Sequence, residues 1–112
     1  MTEQSLSDHA TATVHHESLL SRALGVIPYQ PVNNTAHIFS FHTETQDTFH
    51  GFFVFHPLLL IFLNDDNKVV DTHVLQPFTT YKPTTTYKTV IELDPSNTTT
   101  PITPGDVIKI DV

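Results

Sequence analysis

Cysteine is absent from this 112-residue chain, so neither a disulfide framework nor a cysteine-based zinc site can hold it together. That absence assigns no compartment. Glycine is scarce, at three residues, which leaves little material for a glycine-rich phosphate cradle. Basic residues are few: five stand against twelve acidic ones, and the formal charge of -7 repels a phosphate backbone. Nucleic acid is therefore not an expected partner. The longest apolar run falls short of the roughly 20 residues that a membrane-crossing helix needs, so no membrane partner is expected either. The start, Met1-Thr2-Glu3-Gln4-Ser5, is polar and shows no secretory pattern, and a cytoplasmic setting is the expectation. At this length the chain makes one domain with one modest core.

What is present is concentrated in the middle. Phe49-His50-Gly51-Phe52-Phe53-Val54-Phe55-His56-Pro57-Leu58-Leu59-Leu60-Ile61-Phe62-Leu63 is flanked on both sides by polar, Thr-rich sequence. Its second half, residues 58–63, is apolar at every position, which describes a strand covered on both faces. Pro57 has no amide donor and marks a strand start, an edge or a bulge. Asn64-Asp65-Asp66-Asn67-Lys68 is a turn cluster leading into residues 69–75, so the two segments form a hairpin.

Further strands follow from alternation. His37, Phe39 and Phe41 share one face of residues 36–42. Tyr87, Thr89, Ile91 and Leu93 share one face of residues 87–93. Pro104-Gly105-Asp106 is a turn before a closing strand over residues 107–112. The segment Thr79-Thr80-Tyr81-Lys82 is nearly repeated as Thr85-Thr86-Tyr87-Lys88, and local Thr-rich bias is the plainer account of it. Leu19, Leu20, Ala23 and Leu24 give residues 18–24 the one helical pattern, stopped at Gly25. Residues 1–17 show no period and are expected to form a flexible N-terminal tail, with residues 18–112 as the domain. The fold class is mostly β: a small single-domain β-sandwich or barrel with one short N-terminal helix.

This order of elements resembles domain-of-unknown-function family 192, also called uncharacterised protein family 0127, in a divergent, archaeal-like form. Members carry Ile-His-Thr-Phe-Phe-Met-Arg-Phe-Pro-Ile-Asp-Val-Val-Phe-Leu-Asp in the central run, and here the register keeps His50, Phe52, Phe53, Pro57, Phe62 and Leu63. Asp65-Asp66-Asn67-Lys68-Val69-Val70 resembles the family's acidic turn and Val-Val strand. Leu75-Gln76-Pro77-Phe78 is similar to its Leu-Lys-Pro-Trp element, and Ile102-Thr103-Pro104-Gly105-Asp106-Val107-Ile108 to its closing Gly-Asp motif. The resemblance covers residues 18–112 and implies a small mostly β fold, with no activity attached. Phe55 and Leu59 stand where the family shows Arg and Asp, and Asn64 where it ends the run in Asp. Losing one of two paired buried charges would cost about 3–5 kcal/mol, so the change of both to apolar residues is the tolerable one.

No His-Glu-x-x-His, Gly-x-Ser-x-Gly or phosphate-loop motif occurs. Eight histidines are many for the length. His42, His50 and His56, with Glu44 nearby, are the metal-ligand candidates, and a divalent ion is the one cofactor they would suit. His50 and His56 are an even number apart and share a face if the strand between them is regular. The plainer reading is that they are packed or hydrogen-bonded among aromatic residues. For binding, the candidates are His50, Phe52 and Asp106, although Asp106 is also placed to bond its own turn. Two function classes remain. One is a non-catalytic β module binding a small ligand or a protein; the other is a metal-dependent or acid–base enzyme using the histidines. An exposed sheet edge would also let two copies pair as a homodimer.

Overall fold

The computed structural model describes residues 3–8, 11–16, 35–50, 56–98 and 100–110. The helix expected over residues 18–24 and the first half of the central run, residues 51–55, lie outside the described residues. Nine strands are described: β1 (Glu3–Ser5), β2 (Thr11–His16), β3 (Thr35–Thr45), β4 (Phe49–His50), β5 (Leu58–Leu63), β6 (Val69–Leu75), β7 (Thr80–Tyr81), β8 (Tyr87–Leu93) and β9 (Val107–Lys109). Mostly β is therefore correct.

Five strands form the main sheet, in the order β2-β3-β8-β5-β6. The pairs β3–β8, β8–β5 and β5–β6 are antiparallel, while β2 runs parallel to β3. Two short ladders accompany the sheet, β4 with β7 and β1 with β9. No pairing among the described strands closes the sheet into a barrel: β2 and β6 are its outer strands.

β5 shows why the central run organises the chain. Its side chains alternate between two cores, as the period of two demands. Leu58, Leu60 and Phe62 join Phe39, Phe41, Phe49, Leu75, Tyr87 and Val90 on one face. Ile61 and Leu63 join Leu6, Ala36, Ile38, Val69, Ile91, Leu93 and Ile108 on the other. Each such side chain contributes about 1.5–3 kcal/mol when fully buried, so a strand covered on both faces dominates the stability of a small sheet. Pro57 is exposed just ahead of Leu58, at the strand start that its missing amide suits.

The hairpin between β5 and β6 follows its turn residues. Asn64 Oδ1 accepts from the amides of Asp66 (2.9 Å) and Lys68 (3.0 Å), and Asn67 takes the left-handed conformation at φ 59°. Asn is one of the few side chains that tolerates that region.

The flexible tail expected over residues 1–17 is a correction. Glu3–Ser5 pairs in parallel with Val107–Lys109, and Thr11–His16 pairs in parallel with β3 along its whole length. Leu6, in the 3₁₀ turn between them, is 1% exposed in the aliphatic core. Backbone pairing needs no apolar period, so polar Thr and His residues can fill a strand that supplies mainly hydrogen bonds. β3 also runs to Thr45, past the strand expected over residues 36–42, across a register shift between Ser40 and Thr45.

Candidate functional site

β6 carries two polar side chains onto the aromatic face. In its register Asp71 lies opposite Phe62, His73 opposite Leu60 and Leu75 opposite Leu58. Opposed residues share a face, so Asp71 and His73 project where Leu60 and Phe62 do. The chain then turns at Gln76-Pro77-Phe78-Thr79 and brings β7 back over that face. Tyr81 arrives stacked on His73, with ring centres 3.7 Å apart and planes 4° from parallel. Its hydroxyl donates to Asp71 Oδ2 at 2.5 Å. The Thr84 amide donates to the same oxygen at 3.3 Å, and the Thr72 amide to Asp71 Oδ1 at 2.9 Å. Tyr81 also leans on the core, its ring centre 6.0 Å from that of Phe62.

Protonation follows from these contacts. Burial, then the bond to Asp71, then the Asp71 charge push the Tyr81 phenol up to about 12. Burial draws His73 below the ordinary imidazole value, partly offset by Asp71. Near neutral pH the trio is thus a neutral phenol, a neutral imidazole and a carboxylate already accepting three donors. A general acid or base works best with a pKa near the operating pH, and neither ring is tuned toward it. The arrangement can stack and hydrogen-bond.

A second polar pair lies further along the same face. His37 is opposite Glu92, Glu92 opposite Leu60, and Leu60 opposite His73, a row across four strands. Glu92 is 0% exposed, and both His37 and Glu92 are engaged in further contacts. Carboxylates in such positions are retained only with partners, because an isolated buried charge costs several kcal/mol.

The residues singled out from sequence fall elsewhere. His42 lies in β3 and His50 ends β4, and their side chains are outside the described residues. His56 is exposed in a bend, and residues 51–55, which join it to His50, lie outside the described residues. Its charge reaches Asp94, whose carboxyl is held low first by the Ser96 amide, then by the Ser96 hydroxyl and, less, by His56. Glu44 is exposed and accepts from Thr86 Oγ1 at 2.8 Å. Phe52 lies outside the described residues. Among the described residues no three His, Asp or Glu side chains are grouped to hold a metal ion.

Asp106 is 7% exposed and its Oδ2 accepts from Thr103 N (3.1 Å), Thr103 Oγ1 (3.3 Å) and Gln4 Nε2 (3.3 Å). The first two bonds hold its own turn. The third ties that turn to β1, which reinforces the β1–β9 ladder. Asp71, His73 and Tyr81 were legible only in hindsight. Asp71 and His73 lie two apart on one strand, and the tyrosines of the near-repeat, Tyr81 and Tyr87, both pack on Phe62, at 6.0 and 4.9 Å.

Comparison with known proteins agrees with the fold. The family model described as Uncharacterized ACR, domain-of-unknown-function family 192, matches residues 9–110. The chain belongs to this family. A protein of uncharacterised protein family 0127 from Pyrococcus abyssi is 34% identical over 76 residues, which are 68% of this chain and 65% of that one. A second, from Pyrococcus horikoshii, is 33% identical over 76 residues, covering 68% of this chain and 66% of the relative. The match thus spans just under two thirds of the length of either relative. A crystal structure of a protein of unknown function from Novosphingobium aromaticivorans aligns with a TM-score of 0.63 at 18% identity, over 76% of this chain and 63% of that chain. That likeness concerns the fold alone. In this family member Leu59, standing at the place of the family's Asp, is half-buried against the aliphatic core.

Proposed function

We propose that the chain is a non-catalytic binding module whose contact surface is the Asp71–His73–Tyr81 platform. The observation that supports this reading is the locked stack: two rings 3.7 Å apart, held by a carboxylate that already has three donors. A side chain fixed by its neighbours presents a surface at little further entropic cost, which favours binding. Half-buried His73 offers an uncharged imidazole at the edge of an aromatic face, suited to a flat ligand with a polar rim. The aromatic core behind it, centred on Phe62, keeps the platform rigid. The absence of a ring tuned to neutral pH speaks against acid–base catalysis at this place.

Ligand-observed NMR with a library of flat heteroaromatic fragments tests the reading. Fragments should bind the wild-type chain and lose binding in His73→Ala, with the circular dichroism spectrum unchanged. Hits indifferent to both His73→Ala and Tyr81→Ala would place the binding surface elsewhere and sink the proposal.

A further inference from the structure

The platform carries a charge that nothing beside it neutralises. Asp71 accepts from the Tyr81 hydroxyl, the Thr84 amide and the Thr72 amide, and all three donors are neutral. Among the described residues no lysine pairs with it: Lys82 is exposed, and Lys88 reaches Asp65 at 3.9 Å. A carboxylate offers about four acceptor positions, of which Asp71 uses two on Oδ2 and one on Oδ1. One position on Oδ1 is left, and the residue is half-buried, not sealed.

The rings beside it favour the same kind of ligand. A phenol that donates to a carboxylate becomes more electron-rich, because the acceptor's charge pushes electron density back toward the oxygen and the ring. His73 meets that ring face to face and is uncharged near neutral pH. Uncharged rings next to a carboxylate attract a cation through the ring quadrupole and through the charge together. The formal charge of -7 adds attraction at long range.

The backbone is strained to hold this geometry. Phe78 has φ 62° and follows Pro77 as in a type II turn, at the position that ordinarily takes glycine. The Thr79 amide and hydroxyl donate to the Gln76 carbonyl at 3.3 and 2.6 Å, and the turn so closed folds Tyr81 back onto His73. A bulky residue with positive φ is an outlier, and such strain gathers where a ligand is held.

We infer that the platform takes a planar cation of the guanidinium or amidinium class, stacked on the rings with an N–H directed to Asp71 Oδ1. This names the ligand chemistry of the binding surface proposed above and rests on that reading. A guanidinium is flat, weakly hydrated and rich in N–H donors, so it stacks and donates at once, which a compact ammonium does not.

Three probes of one shape test this on the wild-type chain: benzamidine, benzamide and benzoate, followed by NMR through the ring signals of His73 and Tyr81. Benzamidine should bind at least about tenfold more tightly than either of the others. That preference should shrink between about 0.05 and about 0.5 M salt, and vanish in Asp71→Asn with the circular dichroism spectrum native. The salt series needs no variant, so the charge is tested even where Asp71→Asn loosens the stack. Methylguanidinium against a short arginine peptide then separates a free small cation from an arginine side chain as its source. Equal binding of the three probes, or tighter benzoate, would overturn the cation assignment and leave the platform reading standing. So would a benzamidine preference that survives both salt and Asp71→Asn. Probes none of which moves His73 or Tyr81 would remove the platform and the inference together.

Discussion

One face of the five-stranded sheet is aliphatic and the other aromatic. Ile38, Ile61, Leu63, Ile91 and Leu93 fill the first, closed by Leu6 of the 3₁₀ turn and Ile108 of β9. The second gathers Phe39, Phe41, Phe49, Phe62 and Tyr87, and it also carries His37, Asp71, His73 and Glu92. Both faces bury apolar area, so area does not separate them. Polar content does. Asp106 and Gln4 supply the main polar contacts at the aliphatic side, and those bonds hold turns and the short ladder. On the aromatic side the polar groups sit beside rings, and at the β6 end they reach solvent. The difference teaches that one face serves mainly to keep the sheet, while the other has room for recognition.

The largest test compares the two faces through adjacent residues of β5. Phe62→Ala should cost about 3–5 kcal/mol, against about 2–5 kcal/mol for Ile61→Ala. Phe62 should be the more costly, because its rings pairs with Phe49 (5.5 Å) and Tyr87 (4.9 Å) are lost with it. Each such pair adds about 0.5–1.5 kcal/mol beyond area. Urea unfolding measures both, and a costlier Ile61→Ala would make the aliphatic face the principal core. Next, Asp71→Asn should cost about 1.5–3 kcal/mol, the range for hydrogen bonds to a charged group. It should also lower the Tyr81 titration from about 12, since two of the three causes of the rise go with the carboxylate and burial remains.

A smaller effect belongs to the aliphatic side. Gly105 has φ 99°, and an added Cβ would meet nothing within 4 Å. Gly105→Ala should therefore cost about 1–2 kcal/mol from backbone strain alone. An unfolding midpoint equal to wild type would show that the turn relaxes.

The smallest effect is on pH dependence. His73 has a folded value below its unfolded one, so its contribution is present above about pH 6.5 and is lost as pH falls through the lowered value. Tyr81 has a raised value, so its contribution is present below about pH 10 and is lost as pH rises toward about 12. A His73→Gln, Tyr81→Phe double variant should show a flatter stability profile at both limits than wild type. Profiles of identical shape would remove the two rings from the account.

How much of this was legible follows the strength of each signal. β5, β6 and β8 announce themselves as strands through apolar runs, and the hairpin through its Asn and Asp residues, but the single face expected for Tyr87, Thr89, Ile91 and Leu93 is corrected: Tyr87 packs in the aromatic core and Ile91 and Leu93 in the aliphatic one. β1 and β2 did not, because they join the sheets through backbone pairing with polar residues, and a parallel partner leaves no local turn signature. The platform was hidden for a related reason. Asp71, His73 and Tyr81 converge only because a turn containing a strained Phe78 folds β7 back over β6. The histidines that sequence favoured were chosen by count and spacing, signals that carry no information about which side chains a turn brings together.

The central claim is that the platform is a fixed contact surface whose two rings are uncharged near neutral pH. An NMR pH titration following the ring carbons of His73 and Tyr81 tests it most directly. The account predicts that His73 titrates below about 6.5 and Tyr81 well above about 10. A His73 midpoint at or above 7, or a Tyr81 midpoint at or below 10, would contradict it and return the site to the chemistry of proton transfer.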